Sequence, residues 1–221
     1  MTTRQQRVSE ARVAEKPPGY FRNTRAEAVA ELPRPLGRVL DVGCGAGAAG
    51  PSFRSAGATG LVGIELDPAE ARVAAKAYDE VICGDALEAV GQAGWIDRFE
   101  TITCYDVLEH LVDPLPLVEA LHAAAAPGGH LHVSVPNARH LTLLRDLVVR
   151  GTFGYTQFGH RDLTHLRWFT RRDIEELLAE GGWTVLSATP SLPGRLAAAD
   201  RLTLGAGREF LAFQWRVLAA A

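Results

Sequence analysis

Val39-Leu40-Asp41-Val42-Gly43-Cys44-Gly45-Ala46-Gly47 is the stretch whose reading decides the fold. A short β-rich run, Arg38–Val42, opens directly into a glycine loop, and a helical segment follows to about Ala56. Glycines at a strand-to-helix junction let the backbone approach a ligand closely, and the helix N-terminus adds unpaired N–H donors. Taken alone the loop is ambiguous, because Gly43, Gly45 and Ala48 also satisfy the dinucleotide pattern Gly-x-Gly-x-x-Gly/Ala.

Working outward, the same beat repeats. Leu61–Leu66 is a second apolar run, and Asp67-Pro68-Ala69-Glu70 after it predicts a helix start with a capping box. Asp79–Cys83 is a third run, closed by Gly84-Asp85, and Glu100–Tyr105 a fourth. Asp113-Pro114 starts a helix to Ala126, which Pro127-Gly128-Gly129 ends before a fifth run, His130–Val135. Thr170-Arg171-Arg172-Asp173 caps a helix through Glu180, Trp183–Thr189 is a sixth run, and Glu209–Leu218 predicts a last strand. Short apolar runs alternating with helices indicate an α/β fold: a mostly parallel, seven-stranded sheet with helices on both faces. Upstream, Tyr20–Leu32 has helical composition and stops at Pro33, while Met1–Pro18 reads as a polar arm. The expected organisation is an arm over 1–18 and one domain over 19–221. Within it, 137–168 breaks the beat and is expected to cap the substrate side.

Composition narrows the function classes. Lys plus Arg is 23 and Asp plus Glu is 26, a net charge of −3, so the footprint of a dedicated nucleic-acid binder is missing. Hydrophobic residues at 47% and charged residues at 22% suit a chain with one sizeable core. Cys44, Cys83 and Cys104 have no metal-like spacing and read as reduced core thiols, and no apolar run is long enough to span a bilayer. The expectation is a cytoplasmic protein with a small-molecule partner and neither nucleic acid nor membrane. A homodimer is left open.

Three features separate the two cofactors that such a loop serves, a nicotinamide dinucleotide and S-adenosyl-L-methionine. Asp41 precedes the first glycine by two positions, where a carboxylate suits a cationic ammonium and opposes a pyrophosphate. Glu65, which ends the second strand, can hold ribose hydroxyls of either cofactor and is not one of the three. Gly84-Asp85-Ala86 can accept from an adenine amino group, and Asp106-Val107-Leu108-Glu109-His110 follows the fourth strand.

With these residues together the chain resembles the class I S-adenosylmethionine-dependent methyltransferases. Val39–Gly47 is similar to that family's first motif, Gly63-Ile64-Glu65-Leu66-Asp67 to its ribose-binding strand end, and Gly84-Asp85-Ala86-Leu87 to its adenine-binding turn. The resemblance implies S-adenosyl-L-methionine as cofactor, held by Asp41, Gly43, Cys44, Gly45, Gly47, Glu65, Leu66, Asp85, Ala86, Leu87, Tyr105, Asp106 and His110, with Tyr20 and Arg25 closing over it. A narrower resemblance links Val135-Pro136-Asn137, Gly151-Thr152-Phe153-Gly154-Tyr155 and Gly159–Thr170 to bacterial methyltransferases of small-molecule and polysaccharide clusters. His160-Arg161 departs from the aliphatic pair usual in those relatives and adds polarity on the substrate side.

For the reaction, His165 is the first candidate base, with Asp162 as its orienting partner. The competing reading is that Asp162, Thr164, His165 and Arg167 stitch the insertion to the domain. His160 competes with the reading of an exposed loop histidine. His110 either stands beside the methyl-transfer centre or holds the next loop. Asn137, His140, Tyr155 and Trp168 are the candidate substrate contacts, and His130 and His132 read as structural. Asp106, Glu109 and His110 also resemble the Glu-x-x-Glu-His positions linked to divalent metal in ubiquinone-type O-methyltransferases. The first position here is Asp and the tripeptide is widespread in the superfamily, so no metal is expected. The expected reaction is methylation of a glycosyl or secondary-metabolite hydroxyl. N- or C-methylation, a non-catalytic cofactor-binding module and a nicotinamide-dependent reductase stand as alternatives.

Overall fold

The computed structural model describes residues 24–192, 194, 197, 200, 202, 205 and 207–221. The Met1–Pro18 arm and Tyr20 lie outside the described residues. The chain runs from α1 (Ala26–Val29) into β1 (Gly37–Val42), α2 (Gly50–Ser55), β2 (Ala58–Glu65), α3 (Pro68–Ala74), β3 (Glu80–Cys83), α4 (Ala86–Ala93) and β4 (Phe99–Tyr105). A single 3-10 turn, Leu108–His110, leads to α5 (Leu115–Ala124), β5 (Ala125–Pro136) and α6 (Leu141–Val148). Then come α7 (Arg171–Glu180), β6 (Thr184–Ser191), α8 (Arg208–Leu211) and β7 (Gln214–Ala220).

The seven strands form one sheet in the order β3-β2-β1-β4-β5-β7-β6. Pairing is parallel from β3 through β5, and β7 lies antiparallel between β5 and β6. The chain winds outward from β1 to β3, then returns to lay β4 on the other side of β1. That reversal opens a crevice beyond the carboxyl ends of β1 and β4, the place where open α/β sheets bind ligands.

Both faces of the sheet are covered. On one face Leu40, Ile102, Leu131 and Val133 join Val90, Leu117, Leu121, Ile174 and Leu178 from α4, α5 and α7. On the other, Val39 and Leu61 pack with Phe53, Ala74 and Tyr78 and with Val29 of α1. Asp67 caps α3 through bonds from the Ala69 and Glu70 N–H groups. The reciprocal capping box forms at α7, between Thr170 and Asp173.

Two boundaries differ from the sequence reading. Pro127-Gly128-Gly129 does not end a helix before β5; it lies inside β5 as a register shift opposite Phe99 and Thr101. A Cβ on Gly129 would stand 2.8 Å from the Phe99 and Ala126 carbonyls, so glycine lets the strand bulge there without breaking. The last strand begins at Gln214, because Arg208–Leu211 closes into a helical turn.

The insertion leaves and re-enters the domain at one point. Asn137 forms a parallel bridge with Phe169, and the Ala138 N–H donates to the Phe169 carbonyl at 2.8 Å. This anchors the 137–168 segment above the ends of β4 and β5. No helix among the described residues is long and apolar enough to cross a membrane.

Phe53 is fully buried between α2 and the sheet. Replacing it with alanine removes a large side chain from a packed layer, so Phe53→Ala is expected to cost about 3–5 kcal/mol in urea unfolding. A loss below about 1 kcal/mol would mean that α2 is not held by this contact.

Candidate active site

The glycine loop sits where the sheet order reverses. Gly43, Gly45 and Gly47 all have positive φ, at 74°, 53° and 77°. The Gly43 and Cys44 N–H groups donate to the Ile64 carbonyl at 2.8 and 3.1 Å, which pins the loop against the end of β2. A Cβ on Gly43 would lie 2.5 Å from Val107, so the loop also packs directly on the segment after β4. Only glycine allows that conformation and that approach together.

Two carboxylates mark the next two strand ends. Glu65, buried at the end of β2, accepts from the Gly45 N–H at 2.8 Å and from the Asp67 N–H at 2.9 Å. Burial raises its pKa, and those backbone bonds oppose the rise. Each oxygen holds one such bond, and a carboxylate has room for more. Asp85 caps α4 with Oδ1, which accepts from the Leu87 and Glu88 N–H groups. Its Oδ2 has no partner among the described residues. Because Glu65 pairs with Cys83 across β2 and β3, the Leu66 and Ala86-Leu87 positions leave the sheet side by side. Leu66 and Leu87 are exposed apolar side chains on that edge, as the walls of a slot for a flat ring would be.

Under the loop the charges are bound inward. Asp41 is buried and accepts from the Tyr78 and Thr103 hydroxyls, each at 2.6 Å. Burial raises its pKa, and the two hydroxyl bonds and Arg25 oppose the rise. Both oxygens thus already have partners within the protein. Asp106 has φ 56° and gathers three elements. Its Oδ2 pairs with Arg25 at 2.7 Å, and its Oδ1 accepts from Gln214 at 2.7 Å and Ser134 at 3.1 Å. The Arg25 guanidinium also lies 5.5 Å from the centre of the Tyr105 ring. Burial and the negative field of Asp41 push the Tyr105 phenol well up, and it bonds His132 Nδ1 at 2.9 Å. His132, fully buried, also lies 3.5 Å from Glu31 through Nε2.

The histidines lie on the insertion side. His110 donates from Nδ1 to the Thr164 carbonyl at 3.1 Å, and its ring meets that of His165 edge-on, with centroids 4.9 Å apart. His165 is buried and donates from Nδ1 to the His160 carbonyl at 3.3 Å. Its Nε2 lies 4.0 Å from Glu109 Oε1. Asp162, expected to orient His165, accepts from the Thr164 N–H and hydroxyl at 2.9 and 2.7 Å, and its carbonyl accepts from the His165 N–H. Glu109 enters the sequence reading only within the metal-linked motif and not among the site residues. It is 1% exposed, neither carboxylate oxygen has a hydrogen-bond partner, and burial pushes its pKa well up. One donor atom each from Glu109, His110 and His165 lies within 4.8 Å of the others.

The remaining candidates divide. His160 is not an exposed loop residue: it is buried, stacks on His140 with centroids 4.6 Å apart, and donates to the Phe213 carbonyl at 2.9 Å. Asn137 is fully buried, and its amide donates to the Glu209 and Ala212 carbonyls and accepts from the Arg139 N–H. Those bonds fasten the insertion to the approach to β7 and leave its amide no donor for a substrate. Tyr155 is exposed, Trp168 is half-buried, and their rings face each other at 6.2 Å, with Phe153 against Trp168 at 5.3 Å. Tyr78, Thr103, Ser134 and Gln214 complete the site without any sequence signal, since each matters only through a partner distant in the chain.

The chain matches the model of a methyltransferase domain over residues 14–188. It belongs to the methyltransferase-domain family. The family implies S-adenosyl-L-methionine as cofactor, and the positive-φ glycines, the strand-end carboxylates and the exposed Leu66–Leu87 edge fit that molecule. Among curated relatives, the chain is 35% identical to a ubiquinone biosynthesis O-methyltransferase of Ralstonia nicotianae over 139 residues, covering 55% of this chain and 56% of that protein. The chain thus spans little more than half the length of the curated relatives it matches. Its fold is also that of an S-adenosylmethionine-dependent methyltransferase from Mesorhizobium loti, at TM-score 0.63 and 18% identity, covering 90% and 98% of the two chains. A second such enzyme, from Archaeoglobus fulgidus, gives TM-score 0.63 at 17% identity, covering 92% and 97%.

Two outcomes follow from this geometry. Gly43→Ala forces a Cβ into Val107, and Glu65→Ala removes the acceptor of the Gly45 N–H. Either is expected to weaken S-adenosyl-L-methionine binding in calorimetry by roughly tenfold or more, the worth of one or two hydrogen bonds. The histidine pair adds a pH dependence. Burial holds His160 below its usual pKa and, with His160 beside it, brings His140 down from 6.5 to about 4. The unfolded chain therefore binds more protons as the pH falls below 6.5, so the pair's contribution is complete above that value and lost toward about 4. The urea midpoint should fall across that window, and His140→Gln should make the fall shallower.

Proposed function

We propose that this chain transfers the methyl group of S-adenosyl-L-methionine to a hydroxyl of a small molecule. The observation that carries the reading is one turn of chain. Asp106 closes the cofactor side through Arg25, and His110, four residues later, meets His165 of the insertion. Cofactor cradle and imidazole pair therefore share the ends of β1 and β4, with the insertion above them.

When bound, the cofactor supplies an electrophilic methyl on a sulfonium. The chain's own residues do the rest. Asp41, Glu65 and Asp106 set a negative field around a cationic ligand, and among the described residues Arg25 gives a guanidinium beside it that can meet a carboxylate. The insertion excludes water, which matters because orientation of the acceptor supplies much of the acceleration. His110 and His165 each give their Nδ1 proton to a backbone carbonyl, which puts the imidazole lone pair on Nε2. A base so placed can take the hydroxyl proton. Tyr155 and Trp168 offer ring faces to the acceptor, which suits a glycosyl or secondary-metabolite hydroxyl. The name of the Ralstonia relative adds an acceptor of the ubiquinone-biosynthesis kind. Cys44 and Cys104 are buried, whereas Cys83 is exposed and not the core thiol expected. The three, unpaired among the described residues, support a cytoplasmic location, and the net charge of −3 supports a small-molecule partner rather than nucleic acid or membrane. A homodimer is compatible with this reading.

The test is direct. Calorimetry should show binding of S-adenosyl-L-methionine and none of NADH, and mass spectrometry of acceptor panels should show gain of one methyl on a hydroxyl. Tight NADH binding without S-adenosyl-L-methionine binding would sink the proposal. With a working acceptor, His165→Gln and His110→Gln should lower kcat by about 10²–10⁴, the usual contribution of a positioned base. Cofactor affinity should stay within about threefold, less than the cost of one hydrogen bond. Unchanged turnover in both variants would remove the imidazoles from the reaction.

A further inference from the structure

We propose that Arg145, Arg150 and Arg161, gathered around Asp146, form a subsite for a doubly charged phosphate group on the acceptor. As a statement about the acceptor it rests on the methyl-transfer reading, while the phosphate binding itself does not.

The charge of the chain is divided. The 137–168 insertion holds five arginines, two aspartates and no lysine or glutamate, a net of +3 in a chain whose total is −3. The cofactor side is lined instead by Asp41, Glu65 and Asp106. An anionic part of the acceptor is therefore drawn to the insertion and repelled from the cofactor crevice.

Within the insertion the guanidiniums converge on one carboxylate. Arg145 Nη2 and Arg150 Nη1 lie 2.9 and 3.2 Å from Asp146 Oδ1, and Arg161 Nη2 lies 3.0 Å from Oδ2. The Asp146 side chain is 10% exposed, and the bond from Arg145 lowers its pKa, so it stays ionised. Three positive charges then share one negative charge, an excess of two at one place. A phosphate monoester or a diphosphate carries about two negative charges near neutral pH and balances that excess, which a single carboxylate does not. The bond to Asp146 engages only Nη2 of Arg161, and a guanidinium presents its five N–H groups as a planar fork that suits phosphate oxygens. Asp146 also holds the three long side chains in place before a ligand arrives, which lowers the entropy cost of ordering them on binding.

The cluster is tied to the acceptor side by short stretches of chain. Arg161 follows His160, whose carbonyl accepts from Trp168 Nε1 at 3.2 Å and from His165 Nδ1 at 3.3 Å. The Asp146 carbonyl accepts from the Thr152 N–H at 3.0 Å, where the segment carrying Phe153 and Tyr155 begins. An acceptor laid on the ring faces of Tyr155 and Trp168 would thus carry its phosphate toward the arginines. The substrate class is a glycosyl hydroxyl compound bearing phosphate, either as a sugar phosphate or as a nucleotide-linked sugar.

The experiment titrates the full chain by calorimetry with pyrophosphate, glucose 1-phosphate, UDP-glucose and uncharged methyl glucoside, each with and without S-adenosyl-L-homocysteine. One phosphate-bearing probe per chain is expected, at least about tenfold tighter than methyl glucoside. Arg145→Gln and Arg161→Gln should each weaken pyrophosphate by about tenfold or more, and Arg172→Gln, on α7 and outside the cluster, should leave it within about threefold. On the unmutated chain, pyrophosphate binding should weaken by about tenfold as salt rises from about 50 to about 300 mM, which keeps the test valid if a variant fails to fold. The tighter of glucose 1-phosphate and UDP-glucose identifies which carrier of the phosphate fits. No saturable binding of any phosphate probe, binding no tighter than that of methyl glucoside, affinity insensitive to salt, affinity unmoved in both cluster variants, or an equal loss in Arg172→Gln would each overturn the proposal. S-adenosyl-L-methionine binding, measured on the same chain, separates the two readings. Cofactor binding without phosphate binding overturns only the subsite, and its absence overturns methyl transfer whatever the phosphate probes do.

Discussion

The carboxylate of Asp106 is the knot on which the site depends. It stands in a left-handed conformation just past β4 and draws Arg25 from before α1, Ser134 from β5 and Gln214 from β7 onto its two oxygens. A non-glycine residue at φ 56° carries a backbone cost, which persists where surrounding bonds over-determine it. Those bonds aim the following turn so that Val107 meets Gly43 while Glu109 and His110 face the insertion. Cofactor loop and acceptor side are thus set by the same few atoms.

Charge distribution then explains which ligand the crevice suits. Asp41, Glu65, Asp85 and Asp106 converge on the strand ends, and Arg25 is the cation set among them. A pyrophosphate would meet like charge there, whereas a ligand with a sulfonium, an ammonium and a single carboxylate finds complementary groups. Burial makes the field effective, because Asp41 and Glu65 lie in a low-dielectric wall and not in bulk water.

The placement of the residues assigned to the cofactor was largely legible in the chain. The glycine loop, Glu65 at a strand end and Asp85 at a helix cap are local patterns whose physics is complete within a few residues, and the structure puts them on adjacent strand ends. The acceptor side was less legible. Asn137 looked like a substrate contact and turns out to spend both amide protons on carbonyls of the protein, because a polar side chain in a loop is readily captured by backbone groups. His160 looked exposed and is buried, because Phe213 and His140 come to it from elsewhere in the chain.

The sequence by itself determined the fold class, the cofactor family and the position of the insertion after β5, since strand period, turn glycines and capping residues act over short distances. Only the tertiary structure decided that β7 reverses between β5 and β6, that Pro127-Gly128-Gly129 is a bulge, and that Glu109 is buried beside two histidines. These depend on contacts between residues tens to a hundred positions apart. Such contacts are specified by packing and by the need to pair buried polar groups, and no local pattern records which distant partner will satisfy them.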